Sequence, residues 1–255
     1  MYTPIYKYDC IQDKPDDRDL LFGSVLPAQQ LPRIVDLRDG NMPPVFNQGR
    51  IGSCVGNAAA ALLQYLDHKP DNESVTRSRL WIYYQARVLL GRVNEDCGCM
   101  IRDAIKSLNK LGCPSESIWP YDINRFAVEP PPGAYTHAAE AKLGEYQRLG
   151  NNELELKSCL AQGQPIILGI QVFQSLESAE VAASGRAPMP KLDERHLGGH
   201  AILLVGYNAD KREWLARNSW GAHWGQSGYF TLPWEYILNP VLTGDIWTAK
   251  SYDFT

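Results

Sequence analysis

The chain has 255 residues, enough for one large domain or for two lobes of about 100 to 150 residues each. Hydrophobic residues make up 44% of it and charged residues 21%, which excludes disordered and fibrous classes. The net charge of −4 disfavours a nucleic-acid polymer or an anionic membrane surface as partner. No run approaches the roughly 20 apolar residues of a membrane span, and no secretory signal opens the chain. We therefore expect a monomer that is cytoplasmic or exported by a non-Sec route.

The first 32 residues differ from the rest of the chain in composition and hydrophobic pattern. They contain four prolines and a charged run from Asp13 to Asp19, with little apolar periodicity. Such a segment has little core of its own and is ordered only by docking, so residues 1–32 are predicted to form an extended arm. The residues expected to dock it are Tyr2, Ile5, Tyr6, Tyr8, Leu20, Leu21 and Phe22. Two roles stay open for the arm: regulation by reaching the functional site, or scaffolding along the back of the protein.

The first half of the chain after the arm is predicted to be mostly helical. The strongest helical pattern follows Gly52, with apolar residues on one face at Val55, Ala58, Ala59, Leu62 and Leu66. Further helices are predicted over 77–90 and 101–111, the second one ended by a glycine and a proline.

The second half changes to a β pattern. The EPPPG segment at 129–133 is typical of a crossing between lobes, because proline continues neither a helix nor a central strand. Short apolar or alternating runs then predict antiparallel strands over 165–172, 201–207, 214–218 and 228–232. The predicted class is α+β, with a helix-rich part before a sheet-rich part.

Cys54 lies where a glycine-rich turn, QGRIGSC, enters the strongest helix. The positive end of the helix favours a thiolate there, and so does any imidazolium that the fold brings near. A nucleophilic thiol needs a base, and the base needs a third group that fixes its ring. His200, at the start of a buried apolar run, and Asn218, at the end of the next, suit these two roles. His196 is the weaker candidate for the base, because no buried strand was expected to follow it directly.

With these residues in the order Cys, His, Asn, the sequence resembles the papain-like cysteine peptidases. The family motif is C-G-[SA]-C-[WY], with His and Asn about 130 to 150 residues downstream; here His200 follows Cys54 by 146 residues and Asn218 by 164. The resemblance covers most of residues 31–232. It is carried further by VDLR at 35–38, WPYD at 119–122 and NSWG..WG..GY at 218–229.

The resemblance implies a two-lobe fold with a cleft between the lobes. It implies a catalytic domain over 33–255, with a helical lobe at about 41–130 and an antiparallel β-barrel-like lobe at about 134–250. The family's cysteine three residues before the nucleophile is Ile51 here, so the disulfide of that loop is absent. This departure suits a reducing compartment and is closer to bacterial or viral members than to secreted ones. We also expect no long helical propeptide, since only about 30 residues precede the mature-like start.

The resemblance also implies roles for individual residues. Cys54 would be the nucleophile, His200 its ion-pair partner and Asn218 the group that orients His200, while Trp220 would cover the His-Asn bond. Gln48 and the Cys54 backbone N–H would stabilise the oxyanion, an effect typically worth about 3 to 4 kcal/mol per donor. Peptide would bind along Gly98, Cys99, Met100, Ile101, Gly169, Gly199 and Ala201. These residues predict an open apolar pocket for the second residue before the cut.

The remaining cysteines raise a metal or disulfide question. Cys97, Cys99 and Cys113 lack the fourth ligand and the spacing of a zinc site, so no metal and no cofactor is predicted. A disulfide from Cys97 or Cys99 to Cys113 stays open beside free thiols.

Three functions stay open. The first is a peptidase acting on peptide or protein substrates. The second is an acyltransferase or transglutaminase that uses the same nucleophile. The third is a catalytically silent peptide-binding module.

Overall fold

The computed structural model describes residues 5–38, 42–67 and 75–251. Its α helices are α1 (Cys54–Leu66), α2 (Arg79–Leu90), α3 (Ile101–Lys110), α4 (Pro132–Ala138), α5 (Glu153–Ala161), α6 (Ala179–Ser184) and α7 (Trp234–Leu238). Its strands are β1 (Cys10–Ile11), β2 (Ile34–Asp36), β3 (Cys99–Met100), β4 (Leu143–Leu149), β5 (Ile166–Phe173), β6 (His196–Asn208), β7 (Glu213–Arg217), β8 (Tyr229–Pro233) and β9 (Thr243–Ser251). None of the helices in these residues combines the length and apolarity of a membrane crossing.

The predicted helices form close to their expected bounds. Helix α1 begins at Cys54 itself, so the cysteine occupies the first helical position. Helix α2 begins two residues late, because the Ser78 hydroxyl caps it by accepting the N–H of Trp81, and it ends at Gly91 with a φ of 74°. Helix α3 follows strand β3 without an intervening loop.

The second half forms one large sheet rather than a barrel. Its strand order is β4-β9-β5-β6-β7-β8, and β2 pairs with the end of β6. The named pairs within this sheet are antiparallel. Within the described residues the end strands β4 and β8 do not pair, so the barrel-like lobe expected from the resemblance is an open sheet. The class is α+β, as predicted.

Several elements were not predicted. The sheet gains β4 and β9, whose mixed polar and apolar residues lack a clean alternation. The EPPPG segment does not exclude a helix: Pro132 is the first residue of α4, where a backbone N–H would have no partner within the helix. Strand β6 begins at His196, earlier than expected, but its buried stretch starts at His200.

Two apolar clusters pack against opposite faces of the sheet. Successive side chains of a strand point to opposite faces. Accordingly, Leu203 of β6 packs with α1, α2 and α3, whereas Ile202 and Leu204 pack with α5 and α7. Helix α1 thereby lies against β6, which brings the start of the helix next to the start of the buried part of the strand.

Candidate active site

Cys54 is buried at the junction between helix α1 and strand β6. Its side chain has no exposed surface. The backbone N–H of Ala201, the residue after His200, donates a hydrogen bond to the thiol. The structure therefore brings the predicted nucleophile beside the predicted base, although 146 residues separate them in the chain.

His200 has one ring nitrogen occupied and one free. Its Nε2 lies 2.8 Å from Asn218 Oδ1, and that oxygen also accepts the backbone N–H of Ser219 at 2.8 Å. Because Asn218 Oδ1 is an acceptor, Nε2 must carry the proton, which leaves a lone pair on Nδ1. Nδ1 is buried without a hydrogen-bond partner. The indole of Trp220 stacks on the imidazole, with 5.1 Å between the ring centroids.

Gln48 is fixed by residues on both sides of the cleft. Its Oε1 accepts the hydroxyl of Ser219 at 2.7 Å, and its backbone N–H donates to the Ser219 carbonyl at 2.8 Å. The backbone carbonyl of Gln48 accepts the Tyr121 hydroxyl at 2.8 Å. With Oε1 held in this way, the Nε2 donor points away from Ser219, toward the carbonyls of Ile51 at 3.2 Å and Lys7 at 3.5 Å. The roles of Ser219 and Tyr121 were missed, although both lie inside the NSWG and WPYD motifs.

The arm fills the cleft instead of lying behind it. Strand β1 of the arm pairs in parallel with β3, so that Cys10 is opposite Cys99. On the other wall, Asp9 forms a β-bridge with Gly199. A Cβ added to Gly98 would lie 1.7 Å from the carbonyl oxygen of Asp9, and one added to Gly199 would lie 2.4 Å from that of Cys10. Both walls therefore need glycine for the backbone of the arm to fit.

Side chains of the arm cover the remaining predicted binding positions. The ring of Tyr6 stacks on Trp220 with a centroid distance of 4.4 Å, and the ring of Tyr8 meets His200 edge-on at 5.8 Å. The Cys10 sulfur lies 3.5 Å from the position that a Cβ of Gly169 would take. Next to it, Ile101 and Gly244 line the same space.

The docking residues of the arm differ in part from those expected. Tyr6, Tyr8 and Phe22 are buried or half-buried, but the side chains of Ile5, Leu20 and Leu21 are exposed, and Tyr2 lies outside the described residues. Polar contacts replace the missing apolar ones. Lys7 forms ion pairs with Asp96 at 2.7 Å and with Asp9 at 3.0 Å. No apolar pattern in the sequence identifies these charged residues as contacts.

Burial shifts the pKa of both groups of the site toward their neutral forms. Burial raises the pKa of the Cys54 thiol to about 11, and it lowers the pKa of His200 to about 4. The thiolate expected from the helix N-terminus is therefore not favoured in this state. Removing water from both groups disfavours their charged forms by more than the helix and the nearby N–H groups favour the thiolate.

The other candidates stay outside this arrangement. His196 is exposed, and its Nε2 lies 2.8 Å from Gln171 Oε1. All six cysteines are free thiols, so neither of the considered disulfides to Cys113 is formed.

Residues 31–236 match the family model described as papain family cysteine protease. The chain belongs to this family. It is a papain-like cysteine peptidase, and a relative and a solved structure place it with viral and bacterial members. A peptidase C1-like protein of Acanthamoeba polyphaga mimivirus is 37% identical over 94% of this chain and 85% of its own length. Xylellain, a cysteine protease from Xylella fastidiosa, superimposes with a TM-score of 0.89 and 36% identity, covering 99% of this chain and 100% of that one.

More distant members share the fold or parts of the sequence. Oryzain beta chain of Oryza sativa is 30% identical over 85% of this peptidase, which spans 45% of the length of that protein. Digestive procathepsin L 3 of Tenebrio molitor has a TM-score of 0.70 at 20% identity, covering 91% of this chain and 74% of that one, a likeness in fold alone.

Proposed function

We propose that this peptidase hydrolyses peptide bonds through Cys54, His200 and Asn218. The observation that supports the proposal is the state of His200, whose Nε2 is committed to Asn218 while Nδ1 keeps a lone pair next to the helix start that holds Cys54. This lone pair suits the base that takes the thiol proton. Trp220, stacked on the imidazole, is proposed to exclude water from the hydrogen bond between His200 and Asn218.

The chemical steps follow from these positions. The Cys54 thiolate adds to the scissile carbonyl carbon, and the carbonyl oxygen becomes an oxyanion that accepts Gln48 Nε2–H and the Cys54 backbone N–H. His200 then gives its proton to the leaving amine, and the C–N bond breaks to leave a thioester on Cys54. A water molecule, deprotonated by His200, adds to the thioester, and the acid product leaves as the thiol is restored.

The substrate pocket is proposed for an apolar residue two positions before the cut. Gly169, Gly199, Ala201 and Ile101 surround the position that the small Cys10 side chain takes in the covered state, and Met100 lies next along the wall. None of these residues neutralises a carboxylate, so an acidic side chain at this position would lose hydration without gaining a partner.

The arm, assigned to residues 1–32, is proposed to inhibit the catalytic domain over 33–255. It stands where a substrate would lie, because its backbone approaches Gly98 and Gly199 too closely to leave room for a second chain. It also desolvates Cys54 and His200, which moves both groups toward their neutral forms. Lifting the arm would return water to the site and restore the reactive ion pair.

Labelling and product analysis test this function on the full chain. A thiol-reactive peptide epoxide should label Cys54 and not Cys159, and labelling should require the arm to open. Hydrolysis products without amine adducts, in the presence of an added amine, support a peptidase over an acyltransferase. A chain that binds the peptide but neither reacts with the epoxide nor cleaves would be a silent binding module and would contradict the proposal.

A further inference from the structure

A second group of buried charges lies on the rim of the cleft, away from Cys54. Three residues of the enzyme body supply the hydrogen-bond donors of this group, and they are here called the rim cluster: Arg102, Arg148 and Trp247. The carboxylate of Asp13 accepts the Trp247 Nε1–H at 2.8 Å and the backbone N–H of Arg102 at 3.2 Å. The carboxylate of Asp19 accepts the Arg102 guanidinium and an Arg148 N–H, the latter at 3.1 Å.

The donors belong to the body of the enzyme and the two acceptors to the arm. Arg102 is 5% exposed, Trp247 is fully buried and Asp13 is 5% exposed. Arg102 Nε is buried without a hydrogen-bond partner. Apart from Arg148, whose side chain is 29% exposed, the site is therefore built from buried groups, and Arg102 Nε–H is a donor that the docked arm leaves unused.

The net charge of the rim cluster together with its surrounding carboxylates changes sign when the arm leaves. With the arm docked, two guanidiniums face three carboxylates, because Asp245 lies 3.7 Å from Arg148 and accepts the Asp13 backbone N–H. When Asp13 and Asp19 leave, the same two guanidiniums face Asp245 alone. The open cluster then has a net charge of +1, and the N–H donors that faced Asp13 and Asp19 lack their carboxylate partners, which is the condition for binding one acidic side chain.

The position of the rim cluster can be counted along the arm. The Cys10 thiol lies in the proposed pocket for the second residue before the cut, and Lys7 lies on the far side, near Gln48. Asp13 is three residues beyond Cys10 on the side away from Gln48. At about 3.3 Å per extended residue, the cluster is roughly 10 Å beyond that pocket.

We propose that the rim cluster is a substrate subsite for a glutamate or aspartate side chain about five residues before the scissile bond. The carboxylate of Asp13 occupies it in the covered enzyme, where the arm runs through the cleft in the direction opposite to a substrate. This inference rests on the peptidase function proposed above. It adds an acidic preference at a distance to the apolar preference close to the cut.

Peptide binding to the full chain tests the subsite without turnover. The receptor is the variant Cys54→Ala with Asp13→Asn and Asp19→Asn, which keeps the arm but removes the charges that compete for the cluster. The probes are two labelled ten-residue peptides with leucine two positions before the intended cut and either glutamate or glutamine at the fifth position before it. We expect the glutamate peptide to bind about tenfold more tightly by fluorescence anisotropy.

Three further receptor variants and a shifted peptide make the test specific. Adding Trp247→Phe or Arg148→Gln should abolish the preference for glutamate, whereas Arg212→Gln, which removes an exposed arginine paired with Glu235, should preserve it. A peptide with glutamate moved to the eighth position should lose most of the gain. Equal binding of the glutamate and glutamine peptides overturns the subsite and leaves the peptidase function standing. Failure of both peptides to bind, together with absent cleavage by the chain with Cys54 intact, overturns both.

Discussion

Burial has opposite effects on charged groups at the two ends of the cleft that the arm covers. At the Cys54 end the arm contributes backbone and aromatic rings, and burial shifts the pKa of the thiol and of the imidazole toward their neutral forms. At the rim the arm contributes Asp19, which is buried against two guanidiniums. Burial without a close ion pair favours the neutral forms of titratable groups, whereas a buried ion pair holds two segments of the chain together. The arm therefore covers the candidate active site at one end and is held by ion pairs at the other.

The largest effect should come from the nucleophile and its base. Cys54→Ala and His200→Ala should each lower peptide hydrolysis by about a thousandfold or more, because both members are needed for one proton transfer. Turnover of a fluorogenic peptide, measured in the Asp19→Asn background, checks this. Cys159→Ala is the matched control and should leave turnover nearly unchanged. An active His200→Ala chain beside an inactive His196→Ala chain would show that the base was assigned wrongly.

A smaller loss is expected from the groups that support the reaction. Gln48→Ala removes one oxyanion donor and should lower kcat by about a hundredfold to a thousandfold. Asn218→Ala should keep measurable activity, because the imidazole loses its orientation but remains beside Cys54. Steady-state kinetics that separate kcat from KM test both variants. A Gln48→Ala enzyme with unchanged kcat would contradict the oxyanion role.

Weakening the rim should raise activity rather than lower it. Asp19→Asn leaves Arg102 and Arg148 without their buried carboxylate, so the arm should open more often and the full chain should show about tenfold higher kcat/KM with a lower KM. Asp17→Asn, at an exposed position of the same arm, is the control and should leave kcat/KM unchanged. If Asp19→Asn lowers the melting temperature while KM stays unchanged, the arm is scaffolding.

The smallest expected effect is a change of inhibition with pH. Burial, and next the nearby Asp245, raise the pKa of Asp13 to about 6 in the docked arm, against about 3.9 for a free aspartate. The docked arm therefore binds a proton more tightly than the released arm does. Protonation of Asp13 therefore stabilises the docked arm fully below about pH 4, and this stabilisation is lost as the pH rises through about 6.

Comparing two pH values isolates that contribution. Between about pH 7.5 and about pH 5, inhibition of the wild-type chain should deepen by more than that of Asp13→Asn. Asp96 has the opposite effect on docking, because hydrogen bonds from Lys7 and its other donors lower the pKa of this carboxyl. Its contribution to docking is lost only at pH values below the tested range. Identical pH profiles for the two chains would refute the assignment to Asp13.

Local patterns in the sequence determined the class and the family, and they led to the proposed chemistry. The glycine turn before Cys54 and the apolar spacing after it depend only on neighbouring residues, and α1 begins where those residues predict. The motifs around His200 and Asn218 likewise lie within one stretch of chain. Such features can be predicted because backbone propensity and side-chain period act over a few residues.

Only the tertiary structure decided what covers the site and which charges meet. The partners Asp13 and Trp247 are 234 residues apart, and nothing in the local pattern of either indicates the other. The same holds for β9, which lacks a clear alternation, and for the lowered pKa of His200, which arises from its burial. Burial and charge pairing are properties of the assembled chain, because they depend on which distant segments exclude water from a group.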